Sequence, residues 1–229
     1  DTPLTQVSRT DCMEVLARVE KRGALETAKK IRSWLNNIFS LAIAREQCDL
    51  NPASELRHVA QQKPETKHHP YLMEPELPDF LRALDRSGSQ YTTRAALKML
   101  ILTASRPGVV RQAEWREIDL KDRVWSVPAE KMKKDRAHLY PIPDQLAMEL
   151  ETLAQLTGAG QYLFPGSKTN PYLSPTAINA ALIAIGYRRR LVGHGARHTA
   201  STLLNDHGWR SDYVDMQLSH KQAGVRGVY

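Results

Sequence analysis

Apolar residues recur at helical spacing through most of this 229-residue chain. Val15, Leu16 and Val19 form one stripe across Asp11 to Arg22, where Asp11 and Glu14 fit a capping box and Gly23 fits a stop. Ala28, Ile31, Leu35, Ile38, Phe39 and Ala42 predict a longer helix from Leu25 to about Arg45. Asn51 and Pro52 have the form of the cap and first residue of a short third helix. The period is then lost: VAQQKPETKHHP, from Val59 to Pro70, is polar and proline-bounded, the composition of an exposed linker.

Beyond that linker, Leu77, Phe80, Leu81 and Leu84 predict a helix over Pro75 to Leu84, and Ala96, Leu97, Leu100 and Ile101 predict another over Thr92 to Thr103. VWSVPAEKMKKDRAHLYPIP, Val124 to Pro143, reads as two short strands around a charged hairpin. Further helices follow Pro143, through Leu146, Leu150 and Leu153, and open at Ser174 and Pro175, bearing Ile178, Leu182 and Ile185. Ala200, Leu203, Leu204, Val214, Met216 and Leu218 would hold two last helices in place. The pattern predicts a mainly α chain with a small antiparallel β-sheet, divided into a helical unit over residues 1–60, a linker over 61–70 and a larger domain over 71–229.

Composition narrows the setting. Hydrophobic residues make up 41% of the chain, yet no run has the length of a membrane span, and no signal-peptide pattern is present. Two cysteines, Cys12 and Cys48, are too few for a disulfide framework, so a reducing cytosolic setting is expected. The net charge of +7 suggests a polyanionic partner. It is concentrated: Gly186 to Tyr229 holds seven basic against three acidic residues, and Lys121 to His138 six against three, which together account for the whole excess. A localised phosphate-facing surface fits that distribution.

The same two regions hold the candidate chemistry. In HGARHTASTLLNDHGWRSDYVDMQLSHKQAGVRGVY, His194 to Tyr229, the polar residues of interest are His194, Arg197, His198, His220 and Tyr229. A tyrosine hydroxyl, with a pKa of roughly 10, needs a base or nearby cations before it attacks at neutral pH. Arginine binds two phosphate oxygens at once, and histidine moves protons near neutrality. Upstream, Pro107 and Gly108 put Arg106 on a turn between helices, and Lys133, near the tip of the charged hairpin, can reach into a cleft and protonate a departing alkoxide. Each residue also has a plain alternative: Arg106 and His220 could be helix-end cations, Lys133 part of a solvated cluster with Lys131, Lys134 and Arg136, and Tyr229 a frayed end. Tyr213 reads as a packing residue, Arg188, Arg189 and Arg190 as either phosphate contacts or an exposed loop, and His198 as a structural neighbour of the site. The histidine pairs His68/His69 and His194/His198 lack further ligands nearby, so no metal is expected.

Arg106, Lys133, His194, Arg197, His220 and Tyr229 occur in the order Arg, Lys, HxxR, His, Tyr, which resembles the catalytic set of the tyrosine recombinases, or phage integrases. The flanks TASRPG, AEWREIDL, AEKMK, HGARHTASTLL and QLSHK are similar to those of P4-like prophage integrases, and the likeness runs from about Val15 to the end. The resemblance implies a catalytic domain over residues 71–229, preceded by a partial helical core-binding domain, and a chain that is a fragment. It implies attack by Tyr229 on a DNA phosphodiester to give a 3′-phosphotyrosine, with Arg106 and Arg197 holding the phosphate and His220 hydrogen-bonding it. Lys133 would be the acid for the leaving 5′-hydroxyl and His194 would assist proton transfer at Tyr229. The implied function is integration or excision of a prophage or genomic island, without cofactor. Double-stranded attachment-site DNA, a synaptic tetramer, accessory DNA-bending or excision factors and a nucleoid-associated cytoplasmic location go with it; no membrane partner does.

The chain departs from that pattern at Val109, where many relatives carry an acidic residue, and Glu114 is a candidate to support Arg106 instead. It also stops at Tyr229, where relatives continue with a segment that packs on a neighbouring subunit. These departures keep open a DNA-binding protein without chemistry on the same scaffold, and a type IB topoisomerase uses similar phosphotyrosine chemistry.

Overall fold

A computed structural model of the protein describes residues 2–61, 69–133 and 135–220. The chain divides into two compact units, Asp1–Lys67 and His68–Tyr229. In the first, α1 (Arg9–Lys21) packs on α2 (Leu25–Ala44) around Cys12, Leu16, Val19, Ala28 and Phe39. Asp11 is not the cap of α1 but its third residue: Ser8 Oγ accepts from the Asp11 amide at 3.2 Å, and Asp11 Oδ2 accepts from the Ser8 amide at 2.8 Å. Gly23, at φ 72°, ends the helix in the left-handed region that glycine adopts without strain.

The expected third helix reduces to a turn and a short 3₁₀ segment, Leu56–His58. Its apolar anchors, Ala53 and Leu56, are three apart, the period of a 3₁₀ turn. Asn51 acts as a tie: its amide donates to Asn36 and Ser40 on α2 while its Oδ1 accepts from Ala53 N at 2.9 Å.

The second unit is built around α4 (Tyr91–Thr103), which is buried on more than one side through Ala95, Ala96, Leu97, Met99, Leu100 and Thr103. In chain order it comprises α3 (Leu77–Asp85), α4, α5 (Pro107–Arg111), β1 (Ile118–Asp119), β2 (Val124–Val127), β3 (His138–Pro141), α6 (Asp144–Thr157), β4 (Pro165–Ser167), β5 (Asn170–Tyr172), α7 (Ala177–Ala184), α8 (Gly193–Asp206) and α9 (Ser211–Gln217). Helices α6, α7 and α8 all pack on α4. Strands β1, β2 and β3 form one antiparallel sheet, with Trp125 opposite Tyr140 and Val127 opposite His138. Trp125 and Tyr140 stack at 5.0 Å and are fully buried, which anchors the sheet by roughly 1.5–3 kcal/mol per large side chain.

The fold is thus mainly helical with small antiparallel sheets. A second two-stranded sheet, β4 with β5, carries Pro165, Gly166, Asn170 and Pro171, residues that show no alternation to read. Among the described residues no helix is long and apolar enough to cross a membrane.

Candidate active site

Helix α4 ends where the site begins. Ala104 takes the left-handed conformation at φ 51°, and Thr103 Oγ1 donates to Met99 O at 2.7 Å and lies in hydrogen-bond contact with Ser105 Oγ at 2.8 Å, so the exit is stapled in a dry setting. The chain then turns into α5 with Arg106 as its N-cap and Pro107 in the first turn, where a missing N–H costs nothing. Helix α8 lies close because it opens on two glycines. A β-carbon at Gly193 would sit 3.1 Å from Pro107 Cγ, and one at Gly195 would overlap the Pro70 carbonyl. His69 and Pro70, read from sequence as linker, therefore lie along α8: the His69 ring stands 5.6 Å from that of His194, Tyr71 meets His198 edge-on at 4.1 Å, and Leu72 N donates to Thr199 Oγ1 at 2.9 Å.

One turn into α8, Arg197 is aimed by two backbone carbonyls at helix ends. It donates to Ala104 O at 2.8 Å and to Leu218 O, just past α9. His220 lies two residues further on, its Nδ1 3.2 Å from Asp215 Oδ1 and its amide bonded to the Asp215 carbonyl at 2.9 Å. Gln217 Nε2 donates to Thr103 O at 2.6 Å, tying α9 to the end of α4. Arg106, Arg197 and His220 are thus held to one junction of α4, α8 and α9.

The connection between β2 and β3 supplies the opposite wall. Its basic residues behave differently from one another. Lys131 turns inward to Glu114 and Glu117, and Met132 enters the main core. Lys133 is exposed and, with Arg106, Arg136, His138 and His220, lines a cavity of about 190 Å³. That is several times the roughly 30 Å³ a water takes in the liquid, enough for a phosphate group. No carboxylate lies among the described residues that line it.

The electrostatics suit the binding of an anion. Burial, and then the neighbouring Arg106, lower the pKa of Arg197, which nevertheless stays charged. His138 is lowered by burial, then by Arg197, Arg106 and Arg136, so its ring is held neutral. His194, although it keeps an open face to solvent, is lowered first by desolvation and then by His69, Arg197 and Arg106. A neutral imidazole beside two arginines can accept a proton. Burial pushes the Tyr140 phenol up, against the opposing pull of Arg197 and Arg106. Arg197 comes near enough to act on Tyr140 electrostatically, but among the described residues neither Tyr140 Oη nor His138 Nε2 has a hydrogen-bond partner of normal geometry.

Of the six residues singled out in the sequence, Arg106, Lys133 and His220 line the cavity, Arg197 acts electrostatically on His138, which also lines it, and His194 lies within electrostatic reach of both arginines. Tyr229 lies outside the described residues. His138 and Tyr140 were missed; both sit on one face of β3, two apart, a period-2 signal immediately after the Lys133 hairpin.

Several other readings are corrected. Glu114 does not support Arg106: its carboxylate accepts from Lys131, Arg116 and Gln161, and these hold its pKa down to about 2. Val109 is core. Met216 and Tyr213 are not packing residues, being 63% and 49% exposed, with Arg210 over the Tyr213 ring. Arg190 is engaged within the protein, donating to Glu76 at 2.8 Å and lying over Tyr187.

Comparison with known proteins follows the same division. The phage integrase family matches residues 70–229, and the phage integrase central domain matches residues 1–59. Prophage integrase IntZ of Escherichia coli (strain K12) is 35% identical over 99% of this chain and 56% of its own length. The integrase of Enterobacteria phage P4 is 29% identical over 99% of this chain and 55% of its own length. The chain therefore spans about half the length of these relatives. In fold it resembles lambda integrase, crystallised as a tetramer bound to a Holliday junction, with a TM-score of 0.76 and 20% identity over 98% of this chain and 67% of that one.

Proposed function

Because this chain belongs to the phage integrase family, we propose that it is the central and catalytic part of a site-specific tyrosine recombinase that cuts and rejoins DNA to integrate or excise a prophage or genomic island. The observation that carries this reading is the cavity in which Arg106, Lys133 and His220 converge with no carboxylate among the described residues that line it, beside Arg197 and a neutral His194.

In the proposed reaction the Tyr229 hydroxyl attacks the phosphorus of a DNA phosphodiester. A bond forms between phosphorus and the tyrosine oxygen, and the bond to the 5′-oxygen breaks. His194 takes the tyrosine proton, and Lys133 gives a proton to the departing 5′-oxygen. Arg106 and Arg197 hold the non-bridging oxygens, where charge builds, and His220, oriented by Asp215, hydrogen-bonds the same group. The 3′-phosphotyrosine conserves the energy of the broken bond, so attack by a 5′-hydroxyl reverses the step without a nucleotide cofactor. Permanently charged arginines stand where other phosphoryl-transfer enzymes place metal ions.

By analogy with the DNA-bound lambda integrase structures, the partner is double-stranded attachment-site DNA. The working assembly is a tetramer on two paired sites, with accessory DNA-bending or excision factors, at the bacterial nucleoid in the cytoplasm.

The test is covalent capture on a nicked attachment-site DNA, taken from the junctions of the element that encodes the protein, in EDTA on a denaturing gel. The expected result is an adduct mapped by peptide mass to Tyr229 and absent from Tyr229→Phe. Tight binding without an adduct, persisting in a chain extended at both ends, would assign a DNA-binding role instead. Relaxation of supercoils at unrelated sequences would assign a topoisomerase.

A further inference from the structure

We propose that Lys131 is a positioning residue: by tying the base of the β2–β3 connection to the segment that follows Arg106, it fixes Lys133 against the cavity. The proposal rests on the reading of Lys133 as the proton donor to the leaving oxygen.

The geometry is specific. Lys131 Nζ donates to Gln112 O at 2.7 Å, to Glu114 Oε1 at 2.7 Å and to Glu117 Oε1, so three donors meet three acceptors. The remaining carboxylate oxygens are also engaged. Glu114 Oε2 accepts from Arg116 Nε at 2.7 Å and Gln161 Nε2 at 3.1 Å, and Glu117 Oε2 accepts from Trp125 Nε1 and the Glu114 amide, both at 3.2 Å. The three side chains are only 11%, 5% and 4% exposed. Such a cluster is a poor device for stability, since apolar residues of similar volume often serve as well; what it fixes is a geometry.

The elements it joins define that geometry. Helix α5 is capped by Arg106 and hands over to Gln112, the first acceptor, and Lys131 stands two residues before Lys133 with Met132 buried between them. Lys133 itself makes no ion pair among the described residues, so its place depends on the backbone that Lys131 and Met132 hold. One clamp therefore sets the separation of the two cations that would grip the phosphate and protonate its leaving group.

The test compares single-turnover cleavage of two attachment-site DNAs, one normal and one with sulfur in place of the 5′-bridging oxygen. A thiolate leaves without a proton because its conjugate acid has a pKa of roughly 8.5, so the sulfur substrate bypasses the acid. Lys133→Ala is expected to lose on the order of 10²–10⁴-fold on the normal DNA and to recover on the sulfur DNA. Lys131→Met is expected to lose about 10–100-fold on the normal DNA, the scale of a small misplacement, and likewise to recover, while Lys131→Arg stays near wild type.

Equal losses for Lys131→Met on both substrates, or no loss, would overturn the proposal. Failure of the sulfur substrate to restore Lys133→Ala would overturn the Lys133 assignment itself, and the proposal with it. If Lys131→Met is unfolded at the assay temperature by circular dichroism, Glu114→Gln is read with the same two substrates and the same outcomes.

Discussion

Two sets of basic residues in the second unit are treated in opposite ways. Lys131 is largely buried and met by two carboxylates, each held in turn by further donors. Arg106, Lys133 and Arg136, together with the His220 ring, surround a cavity whose described lining offers no carboxylate, and Arg197 nearby is lowered in pKa by burial and then by Arg106. Like charges gathered on one surface repel one another, so a cluster of cations without carboxylates suits a site to which a partner brings an anion. The first group is complete within the chain. The second, in the proposed reading, is completed by the DNA phosphate.

Removing one partner from the complete group should have the largest effect. Lys131→Met leaves two buried carboxylates facing each other and should lower stability in urea titrations by about 3–5 kcal/mol, whereas Lys133→Met, at an exposed cation, should stay within about 0.5 kcal/mol. Equal costs at the two lysines would erase the contrast. In the open group the cost should fall on chemistry. Arg106→Ala should retain a cooperative unfolding transition yet lose about 10²–10³-fold in single-turnover cleavage, roughly 2.7–4 kcal/mol, the scale for one preorganised donor. Arg197→Ala should lose as much and also some stability, because Arg197 ties Ala104 to Leu218.

The smallest expected effect is on pH dependence, and it differs in sign of origin between the groups. Glu114 is lowered from 4.5 to about 2, chiefly by Lys131, so its contribution to stability is full above 4.5 and is lost as pH falls toward 2. Glu114→Gln should flatten that acid limb. His194 is also lowered, so the neutral ring persists through neutrality and cleavage should fall only below the ordinary imidazole value of about 6.5. A decline that begins at pH 8 would contradict a His194 base.

Much of this could be read from residue order because it depends on local rules. The α4 stripe, the strands around Lys133 and the turn at Arg106 follow from periodicity and from Pro107. What could not be read depends on contacts between distant segments. The sequence offers Lys131, Lys133, Lys134 and Arg136 as one cluster, and only Glu114 and Glu117, folded back from before β1, distinguish Lys131 from Lys133. The same fold-back takes Glu114 away from Arg106, for which residue order makes it a candidate. Gly195 gave no sign from sequence that its missing side chain admits Pro70, which brings His69 to His194. Met216 and Tyr213 fit a helical stripe but face outward, since α9 (Ser211–Gln217) is short and is held through Val214 while the following Leu218 completes the contact.

The most direct test of an anion-completed cavity removes the anionic charge from the substrate. Single-turnover cleavage by wild type and Arg106→Ala would be compared on DNA with a normal scissile phosphate and with a neutral methylphosphonate at that position. If Arg106 serves the phosphate charge, its removal should cost about 10²–10³-fold on the phosphate and only a few-fold on the methylphosphonate. The same loss on both substrates would show that Arg106 acts elsewhere, and the uncompensated cavity would then need another explanation.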